Sequence, residues 1–224
     1  PNPLDARFFN PAAVHYSAMA QRLLVCDLKN NRVRAIDANG SVSTIAGGGA
    51  AVGDVDPGPP IDSGDPLMAR FWFPTGLTMD ERTGRLIVAE FYNNRVRVIC
   101  PLKAPAIPIY PSAPTMGCDG NLAVGTVAGG GSNRGSTDPG PAIDGPDPFA
   151  ARMYNPHSVA LDPIACRIIF SDHFSHRIRA IHANGAVTTI AGGGPRGALS
   201  SQSYVDSDDP LLARFNGPNG VAFD

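Results

Sequence analysis

The chain has 224 residues, 43% of them hydrophobic, with 18 basic against 20 acidic side chains and a net charge of −2. That length suits one all-β domain or two small ones, with apolar content enough for a real core, and the near-neutral balance excludes a global positive field that would recruit nucleic acid or an anionic membrane. No apolar run reaches about 18 residues and no charged-then-apolar leader is in view, although Pro1 does not read as a natural start and both ends look cut.

Taken in order, the chain writes one sentence three times and begins a fourth. Each copy opens with Ala-Arg and an aromatic or Met residue and then a Pro: Ala6-Arg7-Phe8 to Pro11, Ala69-Arg70-Phe71 to Pro74, Ala151-Arg152-Met153 to Pro156, Ala213-Arg214-Phe215 to Pro218. A short strand is predicted after each Pro (12–16, 75–79, 157–161, 219–223). A polar turn follows, then an apolar strand ending in a carboxylate (22–27, 85–90, 167–172). The third strands alternate with period two, as in Arg32-Val33-Arg34-Ala35-Ile36 and its counterparts from Arg95 and Arg177. Asn39-Gly40 and Asn184-Gly185 are hairpin signals that start the fourth strands, which run into Ala-Gly-Gly-Gly at Ala46, Ala128 and Ala191. Four antiparallel strands per copy, with no segment of helical period, predict an all-β fold built as a β-propeller segment.

The combination of Pro-x-Gly-Val-Ala at 218–222, Val-x-Asp at 25–27, Asn-x-Arg-Val-Arg-x-Ile at 30–36 and Val-x-Thr-Ile-Ala-Gly-Gly at 42–48 resembles the NHL repeat, and the likeness covers nearly the whole chain. It implies three full blades plus the first strand of a fourth, part of a roughly six-bladed ring or of an arc completed by something else. The expected organisation is a single domain over 1–224. Blade 1 spans about 7–49, a link 50–69, blade 2 about 70–131, a link 132–151, blade 3 about 152–194, a link 195–213, and the start of blade 4 214–224. The third copy departs from the pattern where Ser175-His176 replace Asn30-Asn31 and Asn93-Asn94, which leaves that turn's hydrogen bonding open.

Two features are additions to the family pattern. The links carry Asp-Pro-Gly-Pro repeats at 56–59 and 138–141, and their Pro and Gly content predicts stiff, turned loops that thicken one face. The middle copy also carries a proline-rich insertion, 101–119, whose Pro105, Pro108, Tyr110, Pro111 and Pro114 suggest an extended interaction arm, or else a tolerated surface insertion. Cys100 and Cys118 bracket it. They are either two reduced thiols or a disulfide that would gain roughly 3 kcal/mol by restricting the unfolded chain. Cys26 aligns with Ala89 and Ser171, a position for a small buried side chain.

Candidate chemistry is sparse. Asp27, Glu90 and Asp172 each precede an arginine by five residues, Arg32, Arg95 and Arg177, and recurrence in every copy marks them as structural pairs holding a turn rather than as acid–base groups. Asp62 with Asp65, Asp144 with Asp147, and Asp206 with Asp209 have a spacing that loop carbonyls would complete into a calcium site, although turn capping needs no ion. The inner strands offer Ala13, His15, Gly76, Thr78, Ser158 and Ala160, not a metal-ligand set, and no cofactor is called for. The reading is a non-enzymatic protein-interaction or structural scaffold, with partners that are copies of itself or the remainder of the same chain. A propeller lyase or lactonase with channel residues supplied by other blades is the alternative. An RNA-binding propeller using the second arginines, Arg34, Arg97 and Arg179, is a further one. The Cys100/Cys118 pair and the sequon at Asn39 lean toward an extracellular or surface location.

Overall fold

The computed structural model describes residues 5–48, 57–100, 118, 123–130, 140–193 and 204–224. Each copy forms one four-stranded antiparallel sheet, with strands hydrogen-bonded in chain order. Blade 1 consists of β1 (Pro11–Ser17), β2 (Arg22–Asp27), β3 (Arg32–Asp37) and β4 (Val42–Ala46). Blade 2 holds β5 (Pro74–Asp80), β6 (Arg85–Glu90), β7 (Arg95–Ile99) and β8 (Val124–Ala128). Blade 3 holds β9 (Pro156–Asp162), β10 (Arg167–Asp172), β11 (Arg177–Ile181) and β12 (Val187–Ala191). Among the described residues the only helical pieces are single 3-10 turns, two of which join the second and third strands at Leu28–Asn30 and His173–Ser175.

The blades stand side by side, with β5 packed between β1 and β9 on the inner side. Two apolar cores fill the spaces between them. Leu24, Val33, Phe71, Leu77, Leu86 and Val88 pack between blades 1 and 2, and Ile87, Ala89, Val96, Val159, Ile168 and Phe170 pack between blades 2 and 3. Because side chains alternate across a strand, the unbroken apolar run Leu86–Ala89 supplies both cores at once. Cys26, Ala89 and Ser171 are all fully buried, so the shared position admits only a small side chain. Where inner strands meet, Gly76 lies against β9 so closely that a Cβ there would stand 2.5 Å from the His157 carbonyl oxygen.

Two expectations need correction. Residues 219–223 form no strand, because none of the described segments runs beside them as a ladder partner. They lie instead along blade 3, where Ser171 Oγ donates to the Asn219 carbonyl oxygen at 2.9 Å and Val221 N–H donates to Ser158 Oγ at 3.4 Å. The links also do more than thicken one face. Ser63 pairs antiparallel with Val124 and Gly145 with Val187, so each of the first two links adds a rung to the outermost strand of the blade that follows it. That covers backbone groups which an edge strand would otherwise leave open.

Candidate functional site

Buried arginine clamps occupy the corner where each second strand ends. The carboxylate turns inward to accept a backbone N–H from the segment that precedes the inner strand: Asp27 from Phe9 at 2.8 Å, Glu90 from Trp72 at 2.6 Å, Asp172 from Tyr154 at 2.7 Å. The guanidinium that meets it belongs to the second arginine of the third strand. Arg34 lies 3.4 Å from Asp27, Arg97 3.1 Å from Glu90 and Arg179 2.9 Å from Asp172. The pairing expected with Arg32, Arg95 and Arg177 is therefore displaced by two residues. These first arginines sit opposite the carboxylates in the ladder, and two of them turn to the fourth-strand side, where Arg177 Nε donates to the Gly192 carbonyl oxygen and Arg95 reaches Thr126 Oγ1.

Arg97 and Arg179 make a second ion pair, 2.7 Å to Asp62 and 2.7 Å to Asp144. Each also donates to a link carbonyl and to the carbonyl that opens the blade, Ile61 and Arg70 in one case, Ile143 and Arg152 in the other. The Phe71 ring lies 4.9 Å from the Arg97 guanidinium carbon. A residue of the fourth strand, Ile45 or Val127 in the first two blades, is left over in the ladder beside the arginine, a bulge that opens room for the guanidinium. Burial pushes the Asp172 carboxyl above the ordinary carboxylate range, only partly offset by Arg179 and the Tyr154 N–H. Burial acts the same way on Asp144, but there Arg179 and Thr189 outweigh it and the carboxyl falls below that range.

The carboxylates offered as calcium ligands are placed by the same frame. Asp62 accepts from Thr126 N–H and Oγ1, and Asp144 from Thr189 N–H. Asp65, Asp147 and Asp209 each accept the N–H two residues on, from Leu67, Phe149 and Leu211. Asp206 is exposed. Among the described residues no group of three or more His, Cys, Asp or Glu converges as a metal site. Of the second arginines, Arg97 and Arg179 are fully buried and cannot reach a phosphate, while Arg34 keeps some exposure and is held by Asp27 and the Arg7 carbonyl oxygen.

Two clusters escaped sequence reasoning. On the rim that carries the clamps, rings of blades 2 and 3 run in contact from Trp72 and Phe73 through Tyr92 and Phe91 to His173, Phe174 and Tyr154, with centroid spacings between 4.5 and 6.1 Å. His157 joins this row 5.8 Å from His173, and burial together with that neighbour pushes its ionisation below the usual histidine range. The signal was present in the pairs Phe91-Tyr92 and His173-Phe174, which replace Leu28-Lys29 of the first copy. At the other end of the inner strands, His15 Nε2 stands 3.4 Å from Glu81 Oε1, whose partner oxygen accepts from Ser17 Oγ and Met19 N–H. His15 and Glu81 border a hollow of about 480 Å³ shared with Thr78, Arg82, Ala160 and Phe223.

Cys100 and Cys118 form a disulfide. The arm residues Pro105, Pro108, Tyr110, Pro111 and Pro114 lie outside the described residues. Asn39 is exposed in its hairpin turn, where its Oδ1 accepts from Ser41 N–H. No helix among the described residues is long and apolar enough to cross a membrane.

The NHL repeat family model matches residues 71–99, which span the opening segment of blade 2 and its first three strands. No curated protein matches the chain. Among solved structures, one similar in fold is a structural genomics protein of unknown function from Bacteroides thetaiotaomicron, 16% identical with a TM-score of 0.62, covering 96% of this chain and 42% of that one. An auxiliary nutrient binding protein from the same organism is 17% identical with a TM-score of 0.47, covering 98% and 55%. Virginiamycin B lyase from Staphylococcus aureus is 15% identical with a TM-score of 0.39, covering 95% and 59%. The chain thus spans about half the length of these proteins, and at such identities the likeness is one of fold.

Proposed function

We propose that this NHL-repeat β-propeller segment is a non-enzymatic interaction or structural module whose partners are proteins, either further blades of its own polypeptide or copies of itself. The observation that carries this reading is the fate of the recurring carboxylates. Asp27, Glu90 and Asp172 are buried and held by a backbone N–H and a guanidinium, an arrangement that fixes geometry and leaves no lone pair turned toward a substrate.

The flank of β1 supports the choice of partner. Val14 is 64% and Tyr16 60% exposed, whereas Leu77 and Val159, at the repeat position of Val14, are 7% and 4% exposed beneath a neighbouring blade. A propeller surface of the same kind seated on β1 would bury that apolar pair. The disulfide and the exposed sequon at Asn39 fit a partner met in an oxidising compartment.

The test sets association against turnover. Light scattering over a range of concentrations, and titration with a purified fragment carrying further blades, should show association that Tyr16→Asp weakens at least about tenfold, the scale of one large side chain lost from an interface centre. Hydrolysis of a lactone with added divalent metal, abolished by His15→Ala and Glu81→Gln, would overturn the proposal in favour of an enzyme working at the inner hollow.

A further inference from the structure

Three joints of one design fasten successive copies, and the third is made from a different residue. In the first, Asn31 Oδ1 accepts from Phe73 N–H at 3.0 Å; in the second, Asn94 Oδ1 accepts from Asn155 N–H at 2.7 Å. In the third, His176 Nδ1 accepts from Gly217 N–H at 2.9 Å. All three acceptors have left-handed backbones, φ 54°, 53° and 57°, and so do the donors, φ 56°, 57° and 59°. Each donor immediately precedes the first proline after the Ala-Arg of the next copy. The third copy's departure from Asn-Asn therefore keeps the hydrogen bond and changes its chemistry.

An amide oxygen accepts at any ordinary pH, whereas an imidazole nitrogen accepts only while it keeps its lone pair. A backbone N–H can only donate, so in this joint His176 is neutral with its proton on Nε2. Two further histidines hold the same short segment. The His173 ring lies 3.4 Å from the Pro218 carbonyl oxygen through Nδ1 and presses on Gly217, where an added Cβ would stand 2.9 Å from its Cε1. The His157 ring lies beside the backbone of Asn219.

We infer that the joint between blade 3 and the fourth copy is an acid-released clasp, in which protonation of His176 Nδ1 removes the acceptor for Gly217 N–H and loosens residues 215–223 while the two asparagine joints hold. The charged groups on the surrounding elements are Asp172 and Arg177 on the blade 3 side and Asp209 and Arg214 on that of the fourth copy. Asp172 of β10 is taken by Arg179 and the Tyr154 N–H, and Arg177 of β11 donates to the Gly192 carbonyl oxygen. On the fourth copy's side Asp209 caps Leu211, while Arg214 pairs with Val205 through its backbone.

Hydrogen–deuterium exchange of the whole chain, corrected for the intrinsic effect of pH, reads the clasp directly against two internal controls. Between about pH 8 and about pH 5 the protection of residues 215–223 should fall about fivefold, the weight of one ordinary hydrogen bond, while the stretches holding Phe73 and Asn155 keep theirs. His176→Asn, which restores the residue of the other joints, should retain the protection and erase its pH dependence. Nitrogen NMR of the unsubstituted protein should show His176 Nδ1 passing from an unprotonated acceptor to a protonated donor over the interval in which protection falls. Protection that ignores pH, a pH dependence that survives His176→Asn, or one abolished by His157→Gln instead, would overturn the inference.

Discussion

Replacing Arg97 by methionine keeps much of the side-chain volume and removes the charge on which one corner of blade 2 converges. Arg97 has no exposed surface and meets Glu90 at 3.1 Å, Asp62 at 2.7 Å and the carbonyls of Ile61 and Arg70. Glu90 is fully buried and would be left as a charge with its partner gone, a loss worth about 3–5 kcal/mol. Asp62 is about a third exposed and can turn to water, so its share stays under about 1 kcal/mol. The Ile61 and Arg70 carbonyls add about 1 kcal/mol between them. The sum is near 5 kcal/mol, which in a chain of this size lowers the melting midpoint by roughly 10–20 °C. Arg34→Met is the built-in comparison, since Arg34 keeps 15% side-chain exposure and lies 3.4 Å from Asp27, so it should lose less than half as much. Denaturant unfolding followed by tryptophan emission measures both, and Glu90→Gln added to Arg97→Met should recover about 2 kcal/mol by neutralising the orphaned carboxylate. Equal losses for the two arginines, or no recovery in the double variant, would refute the clamp as a source of stability.

Other perturbations separate the remaining contacts. Gly76→Ala should destabilise the chain by about 1–3 kcal/mol through the collision with β9, whereas Gly220→Ala at the equivalent position, with nothing within 4 Å, should leave the midpoint where it was. His157 is held below its ordinary pKa of 6.5, so the unfolded chain binds its proton first and stability falls as pH drops through that value; His157→Gln should flatten this part of a pH–stability curve. Asp144 has the opposite chemistry with the same sign: its lowered carboxyl contributes stability above pH 3.8 that disappears on further acidification, and Asp144→Asn should remove that slope. Reduction of Cys100–Cys118, separated by 18 residues, should lower unfolding free energy by about 3 kcal/mol in a denaturant titration with and without reductant.

Strand order and boundaries were legible because period-two alternation, turn residues and repetition all pointed the same way. The third strands begin at Arg32, Arg95 and Arg177, where the pattern put them. The carboxylate partners were not legible. Two arginines recur at fixed distances from each carboxylate, and recurrence cannot say which one folds inward; the bulge beside Arg34 and Arg97 decides it, and a bulge leaves no mark in the spacing of a single strand. Rows of rings such as Phe91, Tyr92, His173 and Phe174 come from separate blades, so only the packing of one sheet on the next brings them together. His176 shows the reverse case: a visible break in the repeat turned out to preserve a bond while altering its proton chemistry.

The way each link reaches forward has a practical meaning for anyone wishing to cut, transplant or permute this chain. The rung that Ser63 lends to Val124 and the ion pair from Asp62 to Arg97 mean that the second sheet is finished by residues preceding it, so the transferable cassette starts before Asp62 and not at Arg70. A splice placed at the strand boundary would deliver a blade with a bare margin and an arginine in want of its anion. One placed ahead of Pro57 would carry its own hem.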